Sequence, residues 1–338
     1  FQIIKMIINY GRQSVDNNDI KEVQKVLKSD FLTQGALVTK FENNLKKYLG
    51  SRFCTAVNSG TSALYMAVSS LKIEKNSKII TTPITFLSSA NAIVHNNHTP
   101  IFSDIENNFN TIDPNYIEYL IKKNINKKRK IKAIIAVDYG GNLCDWESLF
   151  YLKNKYNLYI INDNCHALGS SYKNDKKYAL KYSDIVTQSF HPVKAITTGE
   201  GGAIFSNSKK LNEYYKSYRS HGVTKGYRNK PIWHYQMNFL GNNYRLTEIQ
   251  AALGISQLKK IEEFIDRRVK VAKYYDTHLK INNIIKPRTR TLCRNSYHLY
   301  PIRINFKKYK ISKNEFFKKM LSKKIRLQVH YIPIHLQK

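Results

Sequence analysis

Residues 189–202 run Ser189-Phe190-His191-Pro192-Val193-Lys194-Ala195-Ile196-Thr197-Thr198-Gly199-Glu200-Gly201-Gly202, which sets one lysine in a turn between two strand-like runs, 183–189 and 202–206. An amine used as a nucleophile must be partly deprotonated. Burial and a nearby cationic group favour that neutral form, which can then form a Schiff base with an aldehyde. The competing reading, one more lysine in a lysine-rich chain, stays open on this stretch alone. The glycines and threonines beside Lys194 weigh against it, because a glycine run lets a ligand approach the backbone closely.

Outward from this turn, short β-branched runs alternate with amphipathic stretches. Strands are expected at 53–57, 78–82, 100–104, 131–138, 158–162, 183–189 and 202–206. Helices are expected to begin near Ser62 and Phe86 and to cover 113–124, 145–156 and 208–219, with Asp113-Pro114 and Asp145 as start signals. Repeated βα units predict an α/β fold, a mostly parallel sheet between helices. From Thr247 to about Leu279 the pattern is that of one long helix, followed by strands near 297–304 and 326–331 with a helix at 312–323 between them. A chain of 338 residues exceeds the usual single domain. A large domain over 1–250 and a smaller C-terminal α/β domain over 251–338 are therefore expected.

The net charge of +32 would by itself suit an anionic partner. The lysines are scattered among many Asn, Ile and Tyr residues, however, and the densest run, Lys127-Lys128-Arg129-Lys130, falls between a helix and a strand. Compositional bias is the simpler reading, and no helix-turn-helix with clustered basic residues supports a DNA-binding regulator. No apolar run is long enough for a membrane span, and Phe1 to Tyr10 lacks the features of an export signal, so a cytoplasmic location is expected. Cys54, Cys144, Cys165 and Cys293 are far apart and suggest neither disulfides nor a metal site.

Two further segments carry chemistry. Asn58-Ser59-Gly60-Thr61-Ser62-Ala63 is a strand-to-helix turn whose amides and hydroxyls suit a phosphate, although such a turn also serves as a plain N-cap. Ile161-Asn162-Asp163-Asn164-Cys165-His166-Ala167-Leu168-Gly169 ends a buried strand on an acid, and a buried carboxylate needs a cationic partner. A protonated pyridine nitrogen would serve, keeping the ring able to accept electrons from a carbanion. Asp163 also reads as a surface or capping aspartate, and His166 as a satisfied core histidine.

These segments, with Thr82-Pro83-Ile84-Thr85-Phe86, Asp138-Tyr139-Gly140 and Gly241-Asn242-Asn243-Tyr244-Arg245-Leu246-Thr247-Glu248-Ile249-Gln250-Ala251, resemble in order and spacing the DegT/DnrJ/EryC1/StrS sugar aminotransferases. These are pyridoxal 5'-phosphate (PLP) enzymes of fold type I, aspartate aminotransferase-like. The resemblance covers nearly the whole chain. Arg219-Ser220-His221-Gly222, His298-Leu299-Tyr300-Pro301 and Gln328-Val329-His330-Tyr331-Ile332-Pro333 are most similar to the aminotransferase branch of pseudaminic-acid biosynthesis. The substrate this implies is a UDP-4-keto-6-deoxy-N-acetylhexosamine of L-AltNAc type. Another keto nucleotide-sugar, aminated at C3 or C4, is the enzyme alternative. PLP-dependent sugar dehydratases share the fold, but such relatives generally replace the Schiff-base lysine with histidine.

The resemblance implies that Lys194 holds PLP covalently, Asp163 pairs with its ring nitrogen and Phe86 stacks on the ring. Gly60, Thr61 and Ser189 are implied to hold the phosphate, His166 to lie beside the ring, and Asn243 to reach the phosphate in a neighbouring subunit, which calls for a homodimer. Tyr10, Asp30, Phe31, Leu32 and Thr33, with Gln328, His330 and Tyr331, resemble segments lining the sugar-nucleotide entrance. Glutamate is the implied donor, converting PLP to its amine form, PMP. Because relatives usually continue beyond the equivalent of Lys338, the small domain is expected to be incomplete, and a natural start is expected at Met6.

Overall fold

The computed structural model describes residues 7–127, 129–225 and 230–338. Up to residue 206 the strands are β1 (Phe53–Val57), β2 (Lys78–Thr81), β3 (Thr99–Phe102), β4 (Ile131–Val137), β5 (Tyr159–Asp163), β6 (Ser171–Tyr172), β7 (Ile185–Ser189) and β8 (Gly202–Ser206). All but β6 join one sheet in the order β1-β8-β7-β5-β4-β2-β3. Strands β7, β5, β4, β2 and β3 pair in parallel, while β8 runs antiparallel to both β1 and β7. This is the single mostly parallel sheet that the βα pattern predicts.

Side-chain alternation divides the interior into two cores. Ile134, Ala136 and Ile160 point into one, Ala133, Ile135 and Ile161 into the other. Because successive strand residues face opposite ways, uninterrupted apolar runs such as 133–137 require cover on both faces. Helices α1 (Asn17–Leu27), α2 (Ala36–Leu49), α3 (Gly60–Ser70), α4 (Ser88–His95), α5 (Pro114–Asn124), α6 (Trp146–Tyr156), α7 (Ala179–Tyr182) and α8 (Lys209–Tyr218) supply most of it. Phe41 and Leu45 of α2, Ile117 of α5 and Trp146 and Leu149 of α6 fill the first core. Leu64 and Met66 of α3, Ile93 of α4 and Tyr215 of α8 fill the second. The α5 and α6 N-caps are Asp113 and Asp145, as expected, with side chains accepting from the Asn115 and Ser148 N–H groups.

Three expectations are corrected. The stretch from Thr247 is two helices, α9 (Glu248–Leu258) and α10 (Ile261–His278), broken at Lys259-Lys260. At Lys260 the backbone leaves helical geometry, and its ammonium meets Asp16 at 2.8 Å and Asp19 at 2.7 Å beside α1, an attachment that a helical period does not reveal. Residues 326–331 form no strand. Their ladder stops at a parallel bridge between Ile8 and Ile325, and Arg326 N–H donates to the Ile8 carbonyl before the chain turns away. After α10 come β11 (Ile284–Ile285), β12 (Cys293–Arg294), β13 (Arg303–Ile304) and α11 (Lys313–Ser322), so the expected strand at 297–304 is reduced to its last two residues. Helices α1 and α2 are not among the expected elements. Among the described residues no helix is long and apolar enough to cross a membrane.

Candidate active site

A cavity of about 400 Å³ lies where β1, β4, β5 and β7 end, the edge at which open α/β sheets carry ligands. One corner is built by the turn from β1 into α3. Ser59 caps the helix, its hydroxyl accepting from the Ser62 N–H at 3.1 Å. Gly60 opens α3 against the end of β7, where a Cβ would meet Ser189 Cβ at 2.7 Å. A Cβ on Gly202 would meet the Ser59 carbonyl at 2.4 Å. Glycine at both positions thus brings a helix N-terminus, Thr61 and Ser189 into one corner, an arrangement suited to a phosphate.

Asp163 closes β5 and is 5% exposed. Its carboxylate accepts from the Ser89 hydroxyl at 2.8 Å and the Cys165 N–H at 3.3 Å, and among the described residues no side-chain cation pairs with it. A carboxylate has about four acceptor sites, so capacity remains toward the cavity. Three residues on, His166 accepts from the Gly140 N–H through Nδ1 at 3.2 Å. Its neutral ring therefore carries the proton on Nε2, which lies 3.2 Å from the Tyr331 hydroxyl. Burial, reinforced by the charge of Lys194, holds the His166 pKa well below the usual histidine range. His298 is centred 4.4 Å from His166 and is depressed in the same way, again chiefly by burial.

Lys194 sits in a turn held by its own N–H to the His191 carbonyl at 2.9 Å and by the Thr198 N–H to the Phe190 carbonyl at 2.9 Å. Burial lowers the pKa of its amine, while the nearby Cys165 and Asp163 pull the other way. Burial thus favours the neutral amine, the form that a nucleophilic lysine would need.

The outer wall comes from both ends of the chain. The bridge at Ile8 sets Tyr10 beside His330, ring centres 5.2 Å apart, and Tyr331 lies 6.1 Å from Phe86. The Tyr139 hydroxyl donates to the His330 carbonyl and pins this segment over β4. Gly60, Thr61, Phe86, Asp163, His166, Ser189 and Lys194 therefore line one cavity with Tyr10, Gln328, His330 and Tyr331. Asn243, Asp30, Phe31, Leu32 and Thr33 do not line it. Asn243 is exposed and bridges Ser220, while the Leu32 carbonyl accepts from the Glu248 N–H at 2.9 Å and Thr33 bridges Thr247. Cys165, His191, Glu200 and His298 also line the cavity. All four stand inside quoted segments, whereas Ser89, which touches Asp163, carries no signal in the sequence.

PLP presents a phosphate, a protonatable ring nitrogen and an aldehyde. The residues fit it: the α3 corner suits the first, the spare acceptor capacity of Asp163 the second and the depressed amine of Lys194 the third.

Comparison with known proteins agrees. The chain is 39% identical to the UDP-4-amino-4,6-dideoxy-N-acetyl-beta-L-altrosamine transaminase of Campylobacter jejuni subsp. jejuni serotype O:23/36 over 330 residues, 97% of this chain and 85% of that protein. Its fold matches that of Helicobacter pylori PseC, an aminotransferase involved in the biosynthesis of pseudoaminic acid, with a TM-score of 0.89 at 36% identity, covering 98% of this chain and 86% of that one. It also matches Spr1654 of Streptococcus pneumoniae in its PLP form, with a TM-score of 0.86 at 25% identity over 98% of this chain and 86% of that one. Residues 13–338 match the family model itself, and with site and fold in agreement the chain belongs to the DegT/DnrJ/EryC1/StrS aminotransferase family, whose cofactor is PLP.

Proposed function

We propose that this aminotransferase moves an amino group from L-glutamate to the C4 ketone of a UDP-4-keto-6-deoxy-N-acetylhexosamine; the amino sugar so formed is of the class in the name of its Campylobacter relative, a UDP-4-amino-4,6-dideoxy-N-acetyl-beta-L-altrosamine transaminase. The observation that carries the reading is the convergence of Lys194, Asp163 and the α3 N-terminus on one cavity in a chain 39% identical to that transaminase. PLP, when bound, supplies an electron sink for a carbanion formed beside nitrogen.

The chain's own residues would do the rest. Gly60, Thr61 and Ser189 hold the phosphate. Asp163 keeps a positive charge paired at the closed end of the cavity, and Phe86 and His166 orient the ring. Lys194 anchors the cofactor and, once free, carries a proton on Nζ between the reacting carbons. Tyr10, Gln328, His330 and Tyr331 face the sugar nucleotide and limit water. Asn243 and the Asp30–Thr33 segment are exposed and apart from the chain's own cavity, which supports a role across a homodimer in the site of a second copy. We place the domain boundary near residue 250 and the enzyme in the cytoplasm, where nucleotide-sugars are used.

The test is the absorption spectrum of the purified chain given PLP, then glutamate, then the UDP-4-keto sugar. A visible band that glutamate bleaches and the keto sugar restores, absent from Lys194→Ala, is expected. Failure to form any band sinks the transaminase reading, while restoration only by a GDP-linked or 3-keto sugar moves the substrate assignment.

A further inference from the structure

Arg268 lies on α10, outside the stretches that carry the site, and its surroundings are unusual for an arginine. One arm of the guanidinium donates from Nη2 to the carbonyl of Lys194 at 2.8 Å. The other, Nη1, is buried with no hydrogen-bond partner, and among the described residues no carboxylate pairs with the group. Burying an unpaired guanidinium is costly, so a side chain retained there without an acid calls for a use other than stability. We infer that Arg268 is a positioning residue for Lys194: its guanidinium clamps the backbone of the lysine turn and sets a fixed positive charge behind the amine.

Two physical consequences follow. The clamp ties the turn carrying Lys194 to a helix beyond the break at Lys259-Lys260, so the lysine is held from the sheet side and from α10 together. The charge acts on the amine as a like charge does, favouring its neutral form. It opposes Asp163 and Cys165, which favour the ammonium, and His166, His298 and His330 are held neutral around it. Arg268 is the fixed cation that adds to burial in keeping Lys194 reactive.

The inference rests on Lys194 being the reacting amine, and one experiment separates the two. The 338-residue chain, freed of cofactor, is acetylated with trace acetic anhydride across pH 6 to 11, and labelling of the Lys194 peptide is quantified by mass spectrometry for wild type, Arg268→Gln and Arg268→Lys. Wild type is expected to label with a midpoint below that of the surface lysines. Arg268→Gln should move the midpoint upward by on the order of one pH unit, and Arg268→Lys, which keeps the charge but not the fork, should restore most of that shift. An ordinary midpoint in wild type overturns the reading of Lys194 itself. A depressed midpoint left unchanged in Arg268→Gln overturns the inference alone and leaves Arg268 as a tether. If Arg268→Gln does not fold, the Lys variant decides: a midpoint within a few tenths of a unit of wild type, with slower PLP capture by the displaced turn, is expected, and a wild-type capture rate overturns the inference.

Discussion

Two aspartates stand at the ends of neighbouring strands, and they live in opposite circumstances. Asp138, just past β4, is completely buried and accepts from the Cys144 N–H at 2.9 Å, Trp146 Nε1 at 3.1 Å, Asn164 Nδ2 at 2.8 Å and the Tyr178 hydroxyl at 2.9 Å. Asp163, at the end of β5, has one hydroxyl and one distant amide, and the cavity beyond. The first uses its full acceptor capacity inside the protein; the second keeps part of it in reserve. Even so, burial raises the Asp138 carboxyl to about 6. Of the two buried acids, Asp163 is the one left with acceptor capacity for a ligand.

Neutralising each acid in turn tests the contrast most directly. Asp163→Asn should lower kcat by roughly 10²- to 10⁴-fold, the range of a group that acts on charge in the transition state, with a thermal midpoint close to wild type in the cofactor-free chain. Asp138→Ala should do the reverse. Four donors lose their acceptor, and stability should fall by about 3 kcal/mol, read as an earlier urea midpoint at unchanged slope. Equal stability losses for both variants would erase the distinction.

Acid titration separates the buried groups by sign. His166, His298 and His330 are held neutral by burial, His330 down to about 4, whereas in the unfolded chain they protonate near the usual 6.5. Between those values the unfolded state binds more protons, so these groups make stability fall as pH drops from about 6.5 toward 4. Asp138 acts in the opposite sense. Its folded pKa lies above 3.8, the folded state takes the proton first, and its contribution to stability improves as pH falls through 6. The histidines should win, giving a net loss measurable by thermal denaturation across pH 4 to 7. His298→Asn should flatten that slope; an unchanged slope would remove His298 from the set of buried neutral groups.

The smallest expected effect is that of Ser89→Ala, which removes one donor from Asp163. Loss of a hydrogen bond to a charged group is worth about 1.5 kcal/mol, so PLP retention measured by equilibrium dialysis should weaken roughly tenfold with little change in fold. A loss as large as that of Asp163→Asn would mean that Ser89 does more than hold the carboxylate.

Much of the site was legible because its residues cluster in short segments. Asp163 and His166 are three apart, and Lys194 stands among glycines and threonines. Ser89 was not legible, since a serine four residues after Thr85 looks like any helix-start residue until α4 is laid against the end of β5. Arg268 gave no warning either: on α10 it is one of two adjacent arginines, and only the fold separates Arg267, paired with Glu263 in solvent, from Arg268 beneath the lysine turn. Residues 326–331 misled for a related reason. Their alternation suits an edge strand, but the available partner, the backbone at Ile8, ends after one bridge, and the remainder is drawn over the cavity by Tyr139 and His166.

The parallel sheet follows from the order of residues alone, because apolar runs of strand length separated by capped amphipathic helices have few other ways to bury both faces. Residue types in the lysine turn also marked it as a candidate reactive site. Where the long helix breaks, which aspartate is left with capacity to spare, and that residues 8–10 and 328–331 meet over the cavity emerge only in the folded chain. Each of those depends on contacts between segments far apart along the chain, such as Asp16 with Lys260 or Tyr10 with His330, and local periodicity carries no information about such pairs.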